Sequence, residues 1–189
     1  MKKSVGPRTL AFPVPVWVVG SYDAHGKPNM MTASWAGICC SKPPCLNVSL
    51  RKATYSYGAL MERRAFTVSI PSVDQAAPAD YAGKASGRDV DKFAATGLTA
   101  TRSKVVDAPY VEEFPVVLEC RILHDLEIGL HTLFVGEIMD VKADEEVLGD
   151  KGLPRIDAAR PFVYAPESRS YFSLGERLGP AFKMGDTYR

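Results

Sequence analysis

The stretch from Lys27 to Thr54 reads KPNMMTASWAGICCSKPPCLNVSLRKAT. Its first half, Asn29 to Trp35, combines small and polar residues, which lets backbone amides approach a flat ring that forms hydrogen bonds. Its second half predicts a strand, Leu46 to Leu50, that leads to the start of a helix. Unpaired amides and the helix dipole favour an anion at such a start. The side chains that we expect at this anion site are Ser49, Arg51, Lys52 and Thr54.

The composition is typical of one soluble globular domain. The chain has 189 residues, of which 46% are hydrophobic and 24% are charged, and one domain is the common case at this length. We expect a single domain over 1–189, with a core at about 12–174 and a tail at 175–189 that we do not assign. Lys and Arg number 23 against 22 Asp and Glu, which excludes the basic excess of a nucleic-acid binder. Any recognition of an anion must therefore be local.

The hydrophobic pattern predicts neither a leader nor a membrane span. The start MKKSVGPR lacks the apolar run of a secretory signal. The run from Phe12 to Gly20 contains two prolines and is too short to cross a bilayer. We therefore expect a cytoplasmic protein with no membrane partner.

The cysteines do not indicate a metal or disulfide site. They show neither zinc-ligand spacing nor a C-x-x-C pair, so we expect no metal. We expect all of them to be small buried hydrophobic residues, including the adjacent pair in a strand pattern. The cysteines are Cys39, Cys40, Cys45 and Cys120.

Residue patterns predict a mainly β fold with a few helices. Thr54 is placed to cap a helix from Tyr55 to Arg64, and Ala65 to Ile70 alternates as a half-buried strand does. An Ala-rich span from Val73 to Lys84 is weakly helical. Further strands are predicted at Pro15 to Tyr22 and Cys45 to Leu50.

Two long strand patterns, Val116 to Leu126 and Leu130 to Val141, are joined by a turn that contains Gly129. Both faces of these strands carry apolar residues. This favours a closed or nearly closed barrel whose outer face meets a helix or another subunit. Pro161 to Tyr164 and Ser170 to Leu174 are expected to add closing strands.

The segment SGRDVDKF, Ser86 to Phe93, is a second candidate anion site. If Ser86 and Gly87 open a short helix, Arg88 and Lys92 project from one face toward a shared anion. Acidic residues alternate with these bases, however, and a charged exposed helix gives the same pattern. Spacing alone leaves both interpretations open.

Several common nucleotide and hydrolase motifs are absent from the sequence. It has no G-x-G-x-x-G, no phosphate-binding lysine loop, no H-E-x-x-H and no G-x-S-x-G. A nucleotide-like cofactor would have to be bound by a different kind of segment, and the stretch from Lys27 to Thr54 is the candidate binding segment.

Four motifs together resemble the flavin reductase-like family, with the strongest likeness to its flavoredoxin-type members. The resemblance extends from Phe12 to Tyr171. It implies an FMN-binding split β-barrel, a homodimer, and noncovalent FMN at or near the dimer interface. In chain order the motifs are NMMTASW (29–35), VSLRKAT (48–54), SGRDVDKF (86–93) and GLHTLFVGEI (129–138).

The resemblance also implies roles for individual residues. His131 matches a family histidine on the nicotinamide side, although Leu130 stands where many reductases have an acidic residue. Trp35 either covers the ring or belongs to the core. The residues that match cofactor-binding positions are Asn29, Met31, Thr32, Ala33, Ser34, Trp35, Ser49, Leu50, Arg51, Lys52, Thr54, Ser86, Gly87, Arg88 and Lys92.

The implied function is an FMN-dependent oxidoreductase. NAD(P)H would reduce the flavin, which would pass electrons to a small-molecule or protein acceptor. The alternative is a flavoredoxin-like electron-transfer protein without direct NAD(P)H activity. A third interpretation is a barrel whose site holds a different ligand or is vestigial. The sequence leaves open the acceptor, the choice between NADH and NADPH, and whether FMN stays bound or exchanges.

Overall fold

The structure, a computed structural model, describes residues 1–188 and is built mainly from antiparallel strands, as predicted. The helices are α1 (Ser56–Arg63), α2 (Ala76–Lys84), α3 (Lys92–Thr96) and α4 (Ile156–Ala159), with 3-10 turns at Val73–Gln75, Glu145–Val147 and Met184–Thr187. The strands are β1 (Val14–Pro15), β2 (Trp17–Tyr22), β3 (Pro28–Ala33), β4 (Ala36–Ser41), β5 (Pro44–Arg51), β6 (Ala65–Ile70), β7 (Ala100–Arg102), β8 (Pro109–Val111), β9 (Val116–Ile128), β10 (His131–Ala143), β11 (Phe162–Ala165) and β12 (Ser170–Ser173).

Seven strands form one sheet in the order β3-β2-β6-β9-β10-β5-β4, which puts β3 and β4 at opposite edges. These two strands nevertheless follow each other in the chain. Ala33 and Ala36 are three residues apart, so their Cα atoms lie within about 11 Å of each other. The sheet must therefore roll until its edges meet. The Ser49 amide donates to the Trp35 carbonyl at 2.8 Å, which extends the pairing of β4 with β5 up to this seam. The predicted split barrel is confirmed.

The predicted closing strands exist but do not close the barrel. β11 and β12 pair with β1 in a separate three-stranded sheet, in which Val14 lies opposite Tyr164. The rolled seven-stranded sheet already brings its own edges together, so that no further strand is needed there. Instead, this small sheet places Tyr164 near the seam.

Two apolar clusters lie on the two faces of β2 and β3. Val19 belongs to the cluster inside the barrel, with Phe66 and Phe134. Val18 and Met30 belong to a second cluster between the sheet and the helices α2 and α3. Neighbouring side chains of a strand point to opposite faces, which explains how one strand serves both clusters.

β6 is buried on both faces, so the prediction of a half-buried strand was wrong. Thr67 and Ser69, expected to face solvent, are fully buried. β8 covers them: the Thr67 hydroxyl donates to the Pro109 carbonyl at 2.6 Å, and the Val111 amide donates to the Ser69 hydroxyl at 3.1 Å. These bonds satisfy the polar atoms that burial removes from water.

The helix after β5 is confirmed within one residue at each end, but its predicted cap is not. Tyr55 stands at the capping position, and no side chain caps the helix. The Thr54 hydroxyl instead donates to the Arg51 carbonyl at 2.9 Å. A hydroxyl that donates to the preceding turn competes with capping. Thr54 thus fixes the link between β5 and α1.

The long hairpin of β9 and β10 is confirmed, with strands longer than predicted. Gly129 supports its turn with φ of 52°, a conformation that favours glycine. The far end of the hairpin and the outer face of β10 expose a group of apolar side chains, which we name the outer patch. Its members are Leu126, Ile128, Leu130, Met139 and Val141.

Cys45 and Cys120 are buried as predicted, whereas Cys39 and Cys40 are exposed, contrary to the prediction. The latter two lie on the edge strand β4. Burial raises the pKa of both inner thiols, that of Cys120 to about 12, so these two stay protonated.

No helix among residues 1–188 is long and apolar enough to cross a bilayer. The cytoplasmic location stays a prediction.

Candidate functional site

A cleft of three adjoining lobes runs along β3, the end of β5 and the end of α2. The first lobe has a volume of about 240 Å³, the second about 220 Å³ and the third about 330 Å³. Met31 and Thr54 line both the first and the second lobe. Thr32, Ser34 and Tyr164 line both the second and the third. The lobes are therefore parts of one site.

The first lobe is positively charged. Lys84, Arg88 and Lys92 line it, and no Asp or Glu of the described residues does. The Arg88 guanidinium donates to the Ala53 carbonyl at 3.0 Å and lies 5.7 Å from the centre of the Tyr55 ring. These contacts hold the cation beside the link between β5 and α1. The lobe favours an anion of more than one charge.

Gly87 lies at a point of very close approach in the first lobe. A Cβ at this position would lie 2.4 Å from the Asn29 Oδ1 and 2.4 Å from the Tyr55 Cδ1. Asn29 is buried, and its amide donates to the Ser56 hydroxyl at 2.9 Å. The Tyr55 hydroxyl donates to Asp23 at 2.7 Å. Because both neighbours are fixed by hydrogen bonds, only glycine fits.

Lys92 joins β3 to α2 from inside the protein. Its ammonium donates to the Met30 carbonyl at 2.9 Å and to the Ala82 carbonyl at 2.7 Å, while the side chain also lines the first lobe. Burial lowers the pKa of Lys92 to about 8, because the charged form is removed from water. An anion in the lobe would favour the charged form again.

Arg88 and Lys92 do not share a helix face, because no helix begins at Ser86. α3 begins at Lys92, where the Asp91 carboxylate accepts from the Ala94 amide at 3.1 Å. An acidic residue at the capping position starts the helix later than the pattern indicated. Ser86 instead accepts from the Arg88 amide at 3.2 Å in a turn. Both cations still reach the first lobe, but from different elements.

The second lobe brings together the two halves of the stretch from Lys27 to Thr54. Its wall includes Trp35, which is 41% exposed, so the interpretation of Trp35 as a core residue was wrong. His131 lies opposite Arg51 in the pairing of β10 with β5, and both line the lobe. Of the residues predicted to bind the cofactor, those in this lobe are Met31, Thr32, Ala33, Ser34, Trp35, Ser49, Leu50, Arg51 and Thr54.

Most of the other predicted binding residues line the first lobe, and one lines no lobe. Asn29, Ser86, Gly87, Arg88 and Lys92 are in the first lobe. Lys52 is not brought to the cleft: its ammonium lies 2.6 Å from the Glu127 carboxylate on the exposed side of β9. Lys52 lies in the turn that follows β5, and this turn places its side chain beside β9.

Three charged or aromatic residues of the first and second lobes were not predicted from the sequence. Lys84 ends an Ala-rich helix, where a cation is usual for the helix dipole alone. Tyr55 precedes a helix, and Tyr164 lies in a short strand far along the chain. Of these residues, only Lys84 could have been found from the sequence, because it lies within nine residues of two other cations, Arg88 and Lys92.

Comparisons with known proteins agree with this architecture. A family described as flavin reductase like domain matches residues 9–173. The solved structure of flavoredoxin from Desulfovibrio vulgaris (Miyazaki F) is 55% identical, covers 98% of this chain and 100% of its own, and has a TM-score of 0.93. An FMN-binding protein from Thermus thermophilus is 25% identical, with coverage of 95% and 99% and a TM-score of 0.80.

Among curated proteins, a ferric-chelate reductase (NAD(P)H) from Archaeoglobus fulgidus is 31% identical over 129 residues, which are 67% of this chain and 75% of its own length. Against two uncharacterised relatives, from Archaeoglobus fulgidus and Aeropyrum pernix, the chain spans less than two thirds of the relative's length, 65% and 63%. The family match over 9–173 and the split barrel lead to one conclusion. The chain belongs to the flavin reductase-like family and has its FMN-binding split-barrel fold.

Proposed function

We propose that the protein binds FMN noncovalently in the first and second lobes and passes electrons from a reduced nicotinamide to an acceptor. The observation that carries this proposal is the pairing of an all-cationic lobe with a flat-walled polar lobe in one cleft. FMN has the same two parts, a phosphate and a planar ring that forms hydrogen bonds.

The first lobe fits the phosphate. A phosphate ester carries a charge of about −1.5 to −2 near neutral pH, and three cations face it here. Each charge-assisted hydrogen bond contributes about 1.5–3 kcal/mol. Gly83 and Gly87 keep this wall thin: a Cβ at Gly83 would lie 3.1 Å from the Thr32 Cβ, and one at Gly87 would overlap Asn29. A side chain at either position would push against these residues and change the shape of the lobe.

The second lobe fits the ring. Thr32, Ala33 and Ser34 offer backbone groups to its polar edge, and the Trp35 and Tyr164 side chains supply flat apolar walls. When bound, FMN supplies the redox chemistry, because flavins accept hydride and release electrons. The protein groups orient the ring, exclude water and bring His131 to the nicotinamide side of the lobe.

If the first lobe binds the FMN phosphate, Arg88 and Lys52 differ in their importance for FMN binding, although the sequence predicts both as binding residues. We expect Arg88→Gln to raise the Kd for FMN about 10-fold, the loss of roughly one charge-assisted hydrogen bond. Lys52→Gln should leave this Kd within about twofold, because Lys52 faces Glu127 outside the cleft. Quenching of FMN fluorescence on titration into apoprotein measures both. Equal losses in the two variants would contradict the assignment.

A flavoredoxin-like electron carrier is the second candidate function. The 55% identity with Desulfovibrio flavoredoxin favours it, whereas His131 in the second lobe and the 31% identity with a ferric-chelate reductase (NAD(P)H) favour the enzyme.

Anaerobic stopped-flow absorbance separates the two candidates. Rapid loss of the flavin band near about 450 nm with NADH or NADPH supports the enzyme, since the band belongs to the oxidised cofactor. Loss of the band only with a reduced protein supports the carrier. Protein that shows no flavin band, even after FMN is added, would contradict both.

We also propose that the protein forms a homodimer through the outer patch. Its five apolar side chains are 41–63% exposed on one hairpin, and large apolar side chains exposed together on one element are typical of an interface. Light scattering should give twice the chain mass of 20.6 kDa. A mass equal to one chain at micromolar concentration would refute the dimer.

A further inference from the structure

The third lobe is lined by two cations: Lys84, which also lines the first lobe, and Arg169, which lies outside the proposed FMN site. Lys84 extends into it from the end of α2, and Arg169 from the turn between β11 and β12. Neither side chain makes a hydrogen bond within the protein or an ion pair within 4.0 Å among residues 1–188. Unpaired cations that line the same concave site attract an anion.

The one carboxylate in this lobe already has a hydrogen-bond donor. Asp80 accepts from the Tyr171 hydroxyl at 2.8 Å. Burial, together with this hydrogen bond, raises the pKa of Tyr171 to about 12, so the phenol keeps its proton and remains a donor at neutral pH. Tyr171 in turn packs on Tyr164, with ring centres 5.6 Å apart. The lobe thus combines a net positive charge with an aromatic wall.

Arg169 adopts a backbone conformation that favours glycine. Its φ is 52°, in the left-handed region, where most side chains are disfavoured. Glycine would fit this turn more easily, yet an arginine points into the lobe. Arg169 also lines an outer hollow of about 810 Å³ together with Arg8. A long ligand can therefore extend from the cleft past Arg169.

The position of the lobe indicates which molecule the anion belongs to. The third lobe shares Thr32, Ser34 and Tyr164 with the second lobe, where the ring is proposed to bind. A molecule anchored in the third lobe would therefore reach the ring from the side.

We propose that Lys84 and Arg169 form an anion subsite that holds the phosphate or carboxylate group of the redox partner of the flavin. This proposal rests on the proposed function. The ligand is a small polyanion, and two kinds of molecule carry a suitable anionic group. One is NADPH, the electron donor, through its ribose 2′-phosphate, and the other is a carboxylate chelate of iron, an electron acceptor. A molecule held there reaches the second lobe from the side. NADH, which lacks the 2′-phosphate, gains less binding free energy from the subsite than NADPH does.

Calorimetric titration with adenosine 2′,5′-bisphosphate and with citrate tests the subsite. The protein is titrated with and without FMN, so that the answer does not depend on the cofactor. We expect at least one probe to bind, and Arg169→Gln to weaken it about 10-fold, since it removes one charge-assisted contact. Lys151→Gln removes an exposed cation from a distant turn and should change the affinity less than twofold.

The outcomes separate the sources. Binding of the bisphosphate, with a higher KM for NADPH but not for NADH in Arg169→Gln, identifies the donor. Binding of citrate, with slower reoxidation by ferric citrate in that variant, identifies the acceptor. If neither probe binds, or if Arg169→Gln binds as tightly as wild type, the subsite does not exist. If Arg169→Gln instead loses FMN affinity 10-fold, the lobe belongs to the cofactor and the proposal fails. Probe binding in a protein that ignores FMN refutes only the proposed function.

Discussion

Replacing Gly87 with alanine is expected to weaken FMN binding about 100-fold, or about 2.7 kcal/mol. The new Cβ would lie 2.4 Å from both Asn29 Oδ1 and Tyr55 Cδ1. Neither neighbour can move without losing a hydrogen bond, because Asn29 donates to Ser56 and Tyr55 donates to Asp23. Overpacking of this kind forces backbone shifts that cost about 1–3 kcal/mol. The Kd is measured by flavin fluorescence on apoprotein.

Two other glycines give a graded control for this prediction. Alanine at Gly83 approaches the Thr32 Cβ at 3.1 Å, so a smaller loss of about 3- to 10-fold is expected. Alanine at Gly58, in α1, meets nothing within 4 Å and should leave FMN binding unchanged. Circular dichroism verifies that each variant is folded. Full FMN affinity in folded Gly87→Ala protein would show that the turn at 86–88 does not form part of the binding site.

Replacing Lys92 with methionine is expected to lower the free energy of unfolding of the apoprotein by about 3 kcal/mol. Methionine fills the same channel but donates no hydrogen bond, so the Met30 and Ala82 carbonyls lose their donor. Leaving a buried acceptor unsatisfied costs about 1–3 kcal/mol. Urea denaturation measures the change. The exposed Lys151→Met variant should unfold as the wild type does, and an unchanged midpoint in Lys92→Met would contradict the bridging role.

The stability difference between wild type and Lys92→Met is expected to increase with pH. The pKa of Lys92 is about 8 in the folded protein against an ordinary value of 10.5, so below pH 8 folding must bury a charge. Between pH 8 and 10.5 the unfolded chain binds more protons than the folded one, and the stability rises with pH. The neutral amine still donates both hydrogen bonds. The gap between wild type and Lys92→Met should therefore widen above pH 8.

The sequence predicts the location of the cleft better than the direction of its side chains. The motif 29–35 and the strand that ends at Arg51 both reach the second lobe, because the local pattern determines a strand and its end. Lys52 faces away from the first lobe because its partner, Glu127, lies 75 residues farther along the chain, which no local pattern reveals. Short-range rules describe the backbone, while long-range contacts orient the charges.

Burial is the other property that local patterns misjudged. Thr67 and Ser69 alternate with apolar residues and were expected in solvent, but β8 folds over them. Cys39 and Cys40 were expected inside, but they are exposed on the edge strand β4. In both cases the strand determines the face on which the side chain lies. Whether that face is buried depends on contacts with elements that are distant in the sequence.

The two residues Ser34 and Trp35 have a consequence for how the protein opens. They join the two edges of the rolled sheet and also line the second lobe, so the seam cannot separate without pulling the cleft apart. A ligand that binds only the closed seam reduces its opening by a factor of 1 + [L]/Kd. Amide protons of β3 and β4 would then exchange with solvent more slowly as the cofactor concentration rises, and resistance to proteolysis near the seam would depend on cofactor supply.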